Sequence, residues 1–190
     1  MVAGARGMAS AFSHAFAAVA LVGGIAPRRD WRFWVLAAGS AALPDADVLG
    51  FAVGIPYESI WGHRGFTHSL VFAALWAGLV LFWEFRNTPR FTPSWWRIWT
   101  FFFLVTASHG VLDALTNGGL GVGFFAPFSA TRYFFPWTPI EVSPIGLRSF
   151  FSETGMRVIS NEVVSVWLPL AGFWLLASLV RLLWGRFRKA

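Results

Sequence analysis

Long apolar runs alternate with short polar connections along this chain. Five runs stand out, at residues 9–26, 31–43, 66–85, 96–115 and 163–184. A helix needs about 20 apolar residues to cross the hydrocarbon of a bilayer, and most of these runs approach that length. The pattern therefore predicts an all-α fold, a polytopic membrane helical bundle of about five spans that forms one domain over residues 1–190.

The second run is shorter than the others, because Pro44 stops it after Leu43. At helical rise it covers only about 20 Å, less than a hydrocarbon core of about 30 Å. Either Asp45 and Asp47 are drawn below the membrane surface, or the span resumes through residues 48–53 as a broken helix. Both interpretations put two acids at or beneath the interface, where they are costly and usually functional.

Local signals predict three further features. Residues 120–161 are rich in Gly, Pro and aromatic side chains, which predicts a re-entrant or surface cap between spans four and five. Pro169 lies inside the fifth run and predicts a kink there. Thr67 is expected to cap the N-terminus of the third helix.

Composition supports the membrane assignment. The chain is 56% hydrophobic and only 13% charged, whereas a soluble domain of this size would be nearer a quarter charged. The net charge of +6 fits phospholipid headgroups and the positive-inside rule better than a nucleic acid, so no nucleic-acid partner is expected. The absence of cysteine excludes disulfides and thiolate metal sites.

The basic residues predict an orientation in the bacterial inner membrane. The ten on one side of the predicted bundle outnumber the five on the other, which are Arg6, Arg64, Arg132, Arg148 and Arg157. The positive-inside rule places the richer side in the cytoplasm. The N-terminus should then face outward and the C-terminus inward.

Four polar clusters fall at the outer ends of the first four predicted spans. They are His14, then Asp45 with Asp47, then His63 with His68, and finally His109 with Asp113. These clusters contain all four histidines of the chain. Their common placement predicts one site that several helices build on the outer side of the membrane.

The residue types suit a divalent metal. His109 and Asp113 are one helical turn apart on a single face, so both can reach one ion. His63 and His68 bracket a turn at Gly65, and imidazole with carboxylate suits zinc, manganese or iron. Seven ligands exceed the three or four that one catalytic zinc uses, which favours a two-metal site with two zinc ions.

Each cluster alone has a simpler interpretation. His14 suits a hydrogen bond between helices, Asp45 with Asp47 suits a turn, and His109 with Asp113 suits an intrahelical pair. Arg64 and Arg132 are more often interfacial anchors than substrate clamps. The seven together favour metal, because ionisable residues inside a membrane are costly and normally paired.

The motifs resemble those of a known family. Four motifs of the chain resemble, in type and order, those of the YdjM-type family. They are His14, Leu43-Pro44-Asp45-Ala46-Asp47, the block from His63 to Ser69 and the block from His109 to Thr116. These bacterial inner-membrane proteins are described as LexA-regulated, metal-dependent hydrolases, and the match covers about residues 10–140. The resemblance implies that the seven His and Asp residues are metal positions. More distantly it links the chain to zinc-dependent phospholipases C and single-strand nucleases, which use more histidines.

The expected function is hydrolysis of a phosphoester in a membrane lipid or lipid-linked substrate. Asp45 or Asp47 would orient water or act as general base, and Arg64 and Arg132 would hold phosphate oxygens. The segment 120–161 would form a lid. A divalent-metal transporter and a structural or regulatory metal-binding membrane protein are the alternatives.

Overall fold

The computed structural model describes residues 7–25, 30–144 and 152–187. Its α-helices in these ranges are α1 Ala11–Ile25, α2 Trp31–Ala42, α3 Leu70–Trp83, α4 Pro93–Ala114, α5 Glu153–Glu162 and α6 Leu168–Phe187. Two 3₁₀ segments, Leu43–Val53 and Phe66–His68, and a π-helical turn, Val163–Trp167, adjoin them. Strands β1 Gly7–Met8 and β2 Ser143–Pro144 pair antiparallel. Six of the basic residues on which the predicted orientation rests lie outside the described residues: Arg6, Arg28, Arg29, Arg148, Arg188 and Lys189.

Helices α1 to α4 form the core of the molecule. Buried side chains of all four meet in one cluster, in which Val22, Phe33, Leu81 and Phe102 are among the larger members. Small residues such as Ala37, which is fully buried, let the backbones approach closely, as is common between membrane helices. Helices α3 and α4 pack along each other as an antiparallel hairpin.

Helices α5 and α6 form one long element that lies against α1. The rings of Phe173 and Trp174 occupy the space where side chains at Gly24 and Gly23 would project, so only glycine allows this contact. The Arg181 guanidinium donates to the carbonyl oxygens of both glycines at the end of α1. Most other apolar side chains of α6 are exposed, as they would be toward lipid.

Among the described residues, two helical elements are long and apolar enough to cross a membrane. They are Trp31–Val53, with 23 residues and a mean hydropathy of 1.3, and Glu153–Trp184, with 32 residues and a mean hydropathy of 2.0. Helices α1 and α3 are apolar but have only 15 and 14 residues. The membrane-helical fold therefore agrees with the sequence, whereas the count of five spans stays a prediction.

The helix of the second predicted run continues beyond Pro44, as the broken-helix interpretation expects. Pro44 ends the α-helical pattern, and the chain continues as the 3₁₀ segment to Val53. The fifth helix begins at Glu153, ten residues before the predicted start. Pro169 has no N–H to donate, and the turn just before it, Val163–Trp167, is π-helical.

The predicted cap is irregular over residues 120–142, then forms strand β2, and is helical from Glu153, where the prediction of a broken segment was wrong. It covers the end of the bundle that carries the polar clusters. The Gly123 N–H donates to the carbonyl oxygen of Arg64 at 2.8 Å, and the Leu70 N–H donates to that of Phe124 at 3.0 Å.

Candidate metal centre

The fold brings all seven predicted ligands to one end of the bundle. His14 comes from α1, Asp45 and Asp47 from the first 3₁₀ segment, His63 and His68 from the connection before α3, and His109 and Asp113 from α4. Two groups could each hold a metal ion, and His68 belongs to both. The first is Asp45, His68, His109 and Asp113, and the second is Asp47, His63 and His68.

Hydrogen bonds define the tautomers of two histidines in the first group. His109 Nδ1 lies 2.6 Å from the carbonyl oxygen of Ala41, which can only accept, so Nδ1 carries the proton. His68 Nδ1 lies 3.0 Å from the Thr67 hydroxyl oxygen, and because that hydroxyl donates its own proton to Asp47, His68 Nδ1 is the donor in this contact. In the neutral rings both Nε2 atoms therefore present lone pairs, and these atoms lie 3.0 Å apart.

Two carboxylates approach the same point. Asp45 Oδ1 lies 3.2 Å from His109 Nε2, and Asp113 Oδ2 lies 3.3 Å from His68 Nε2. Both Asp45 oxygens and Asp113 Oδ2 are buried without a hydrogen-bond partner among the described residues. Buried polar atoms are rarely left so, and lone pairs facing carboxylates repel unless a cation lies among them. The donor set thus fits a divalent metal.

His14 lies beside this group. Its ring stacks on that of His109 with centroids 3.6 Å apart, and its Nε2 is 3.6 Å from Asp113 Oδ1. Within the described structure neither His14 nitrogen has a hydrogen-bond partner, although the side chain is fully buried. His14 is not one of the four residues of the first group, so its role as a ligand stays a prediction that its two unbonded nitrogens support.

Asp47 is bonded differently from Asp45. Its Oδ1 accepts from His63 Nδ1 at 2.7 Å, and its Oδ2 accepts from the Thr67 hydroxyl at 2.6 Å. Thr67 is thus a partner of Asp47, and the prediction that it caps α3 was wrong. Ser69 is the cap and accepts from the N–H of Phe72. Carboxylates bonded in this way orient the histidines of metal sites.

Arg64 holds Asp113 in place. The Arg64 side chain is fully buried, its Nε lies 3.2 Å from Asp113 Oδ2, and the Ala9 N–H donates to Asp113 Oδ1 at 3.1 Å. The other guanidinium nitrogens donate to Gly118 O at 2.9 Å and to Thr116 Oγ1 at 3.0 Å. Each nitrogen of this cation lies within 3.2 Å of a protein oxygen, and the side chain is inaccessible, so its predicted contact with substrate phosphate stays a prediction.

Arg132 is similarly engaged outside the helices. It donates to the carbonyl oxygens of His63, Tyr57 and Ser59 at 2.9–3.0 Å, and it lies over the Tyr57 ring. Burial lowers the pKa of Arg132 below its usual value and raises the pKa of Tyr57 above its own. These bonds tie the cap to the loop that carries His63, and phosphate binding by Arg132 also stays a prediction.

Sequence reasoning missed one buried acid near the site. The Glu162 carboxylate is fully buried at the end of α5 and accepts from the N–H of Ser10 at 2.6 Å and from its hydroxyl. Ser10 follows Ala9, whose N–H holds Asp113, so Glu162 anchors the segment that positions a predicted ligand. Its place one residue before the predicted fifth span was the signal available in the sequence.

Comparison with known proteins agrees with the motif resemblance. The model of the YdjM inner membrane protein family matches residues 8–186, a greater extent than the predicted 10–140. Inner membrane protein YbcI of Escherichia coli (strain K12) is 44% identical over 129 residues, which cover 68% of this chain and 73% of YbcI. No solved structure matches the chain.

Proposed function

The chain belongs to the YdjM family of inner membrane proteins, and from its buried His/Asp cluster we propose that it is a membrane-embedded, metal-dependent hydrolase. The observation that carries the proposal is the 3.0 Å approach of the His68 and His109 Nε2 atoms, with two carboxylates directed at the same point. Such an arrangement is unfavourable for an empty apolar bundle and favourable for a cation.

The first group is the best place for that ion, with His14 beside it. Because His68 belongs to both groups, two ions would have to share its ring. Nε2 would bind the ion at the first group, and Nδ1 would bind the ion at the second. One imidazole can bind two metals only after losing both ring protons. One tightly held ion is therefore the stronger proposal, and the second zinc expected from the ligand count is left to a measured stoichiometry.

The ion and the side chains around it would have different roles in the proposed hydrolysis. A divalent ion at this site would supply Lewis-acid polarisation of a phosphoryl oxygen. Asp47 holds His68, and Arg64 with the Ala9 N–H holds Asp113. Asp45 is the best candidate for the general base, because both of its oxygens lack hydrogen bonds in the described structure. Hydrolysis would join the water oxygen to phosphorus, with Asp45 taking the water proton as the ester oxygen leaves.

A lipid or lipid-linked phosphoester is the proposed substrate. The Asp45 side chain is 12% exposed, whereas those of His68, His109 and Asp113 are inaccessible, so the site is least enclosed on the Asp45 side. The same 3₁₀ segment exposes the apolar side chains of Leu49 and Val53, at 71% and 78%. Apolar surface at the entrance favours a substrate that arrives from the membrane.

The proposal is tested on purified protein in detergent. Metal per chain and hydrolysis of phospholipids are measured before and after chelation, for wild type and for Asp45→Asn, which keeps the side-chain size. We expect weaker metal binding by Asp45→Asn, whose amide oxygen remains a ligand, and, with both proteins saturated with metal, turnover in wild type alone. Metal uptake into sealed vesicles without hydrolysis would favour the transporter. Bound metal whose removal only melts the protein would favour a structural role.

The outward orientation of the site rests on charge bias alone and is tested separately. A reporter that is active only in the cytoplasm, fused after Ala190, should be active. Activity of a periplasmic reporter there would instead place the site on the inner face.

A further inference from the structure

A second feature lies at the opposite end of the α3–α4 hairpin. Helix α3 begins beside His68 and ends at Trp83, while α4 begins at Pro93 and reaches the site only at His109. Between the distal ends of these helices is an open cavity of about 280 Å³. Its lining combines two arginines with four aromatic residues, Phe82, Phe85, Arg86, Arg90, Phe91 and Trp95.

The arginines give this basic cavity an unbalanced charge. Arg86 and Arg90 are both exposed, and within the described part of the chain neither has a carboxylate within ion-pair distance. They lie on the connection where the sequence predicts the cytoplasmic surface. Two guanidinium groups in one pocket favour a phosphate-bearing anion.

The rest of the cavity is apolar. Gly78, one to two turns inside α3, contributes to the lining, and a side chain placed there would have nothing within 4 Å. Phe82 next to it is 61% exposed. The cavity therefore continues from the arginines along the helix toward the membrane interior, which is the shape of a headgroup followed by an acyl chain.

The loop between α3 and α4 has an unusual backbone conformation beside the basic cavity. Phe91 has φ of 60°, in the left-handed region that a bulky side chain rarely adopts. The Phe91 ring is 72% exposed and packs on Trp95 with centroids 5.4 Å apart. Such conformations persist where the surroundings hold them and are common at ligand clamps. Here the strained residue places an aromatic ring at the rim of the basic cavity.

We propose that the basic cavity binds one anionic phospholipid, with Arg86 and Arg90 on the phosphate and the first part of an acyl chain over Gly78. Basic pockets between membrane helices on the cytoplasmic side are suited to such lipids. The proposal does not depend on the hydrolase activity, because the cavity and the His/Asp site lie at opposite ends of the hairpin.

The test measures lipid binding to purified full-length protein by native mass spectrometry. The probes are phosphatidylglycerol, the zwitterionic phosphatidylethanolamine, and inorganic phosphate as competitor. The joint variant Arg86→Gln/Arg90→Gln should weaken phosphatidylglycerol binding about tenfold or more, since each arginine near an anionic surface is worth about fivefold. Gly78→Phe should weaken it by filling the groove while leaving both charges in place.

Two control variants make the result specific. Arg97→Gln removes a charge from the same side, where the guanidinium bonds to Pro93 O, and Gly172→Phe adds a ring in open space on α6. Both controls should bind phosphatidylglycerol as wild type does. Equal binding by all variants, or no preference over phosphatidylethanolamine, would overturn the proposal. Displacement of the lipid by inorganic phosphate at equal concentration would also overturn it, because the acyl chain would then contribute nothing.

Discussion

The two ends of the α3–α4 hairpin use charge in opposite ways. At the site end Arg64 is fully buried and every nitrogen lies against a protein oxygen, so the cation serves to position Asp113. At the other end Arg86 and Arg90 are exposed and, among the described residues, lack an acidic partner. Buried charges depend on one another, while exposed ones remain available to a ligand. Identical substitutions at the two ends should therefore have very different effects.

The largest difference is expected in the free energy of unfolding. Arg64→Gln leaves Asp113 buried without its cation, which typically costs about 3–5 kcal/mol, whereas Arg86→Gln should stay within about 0.5 kcal/mol of wild type. Thermal and denaturant unfolding of both variants in one detergent measures the contrast. Equal stability of the two variants would contradict the claim that the buried Arg64–Asp113 ion pair stabilises the fold.

The next effect concerns the ligands themselves. His109→Ala should lower metal affinity and phosphodiester turnover at least about 100-fold, since the loss of a supporting partner alone costs 10–100-fold. Ser108→Ala is the control, because its hydroxyl bonds only to Val105 O within the same helix among the contacts described. His109→Ala should still fold, whereas Asp113→Ala would leave Arg64 unpaired and is the poorer test. Unchanged metal content in His109→Ala would remove this residue from the site.

A smaller effect distinguishes positioning from coordination. Asp47→Asn keeps the size of the side chain but loses the charge that orients His68, so metal affinity should fall about 10–100-fold while the number of ions per chain stays constant. Competition with a metal-binding dye gives the affinity, and elemental analysis gives the count. A fall from two ions to one would instead identify Asp47 as a ligand of a second metal.

The smallest effect is expected at the segment that supports Asp113. Glu162→Gln replaces charge-assisted bonds to Ser10 with neutral ones and should destabilise the protein by about 1 kcal/mol. Glu153→Gln changes an exposed acid on the same helix and should have no measurable effect on melting. If both variants melt alike, Glu162 does not anchor the segment before α1.

Much of the site could be predicted because helical spacing is local information. His109 and Asp113 are one turn apart and therefore share a helix face. Each apolar run reverses the direction of the chain, so polar clusters at the end of one run and the start of the next lie at the same end of the bundle. The atoms that meet could not be predicted in this way. Asp45 and Asp47 are similar in sequence, yet the structure leaves Asp45 without hydrogen bonds and bonds Asp47 to His63 and Thr67.

By itself the sequence determined the helical membrane character, the family and the set of polar residues that gather at one end, since hydropathy, periodicity and motif order are properties of the chain alone. Only the tertiary structure decided that Arg64 faces Asp113, that Glu162 anchors Ser10, and that the Nε2 atoms of His68 and His109 meet. These depend on contacts between segments as far as 152 residues apart. The packing of helices decides which side chains meet across such distances, and no local pattern contains that information.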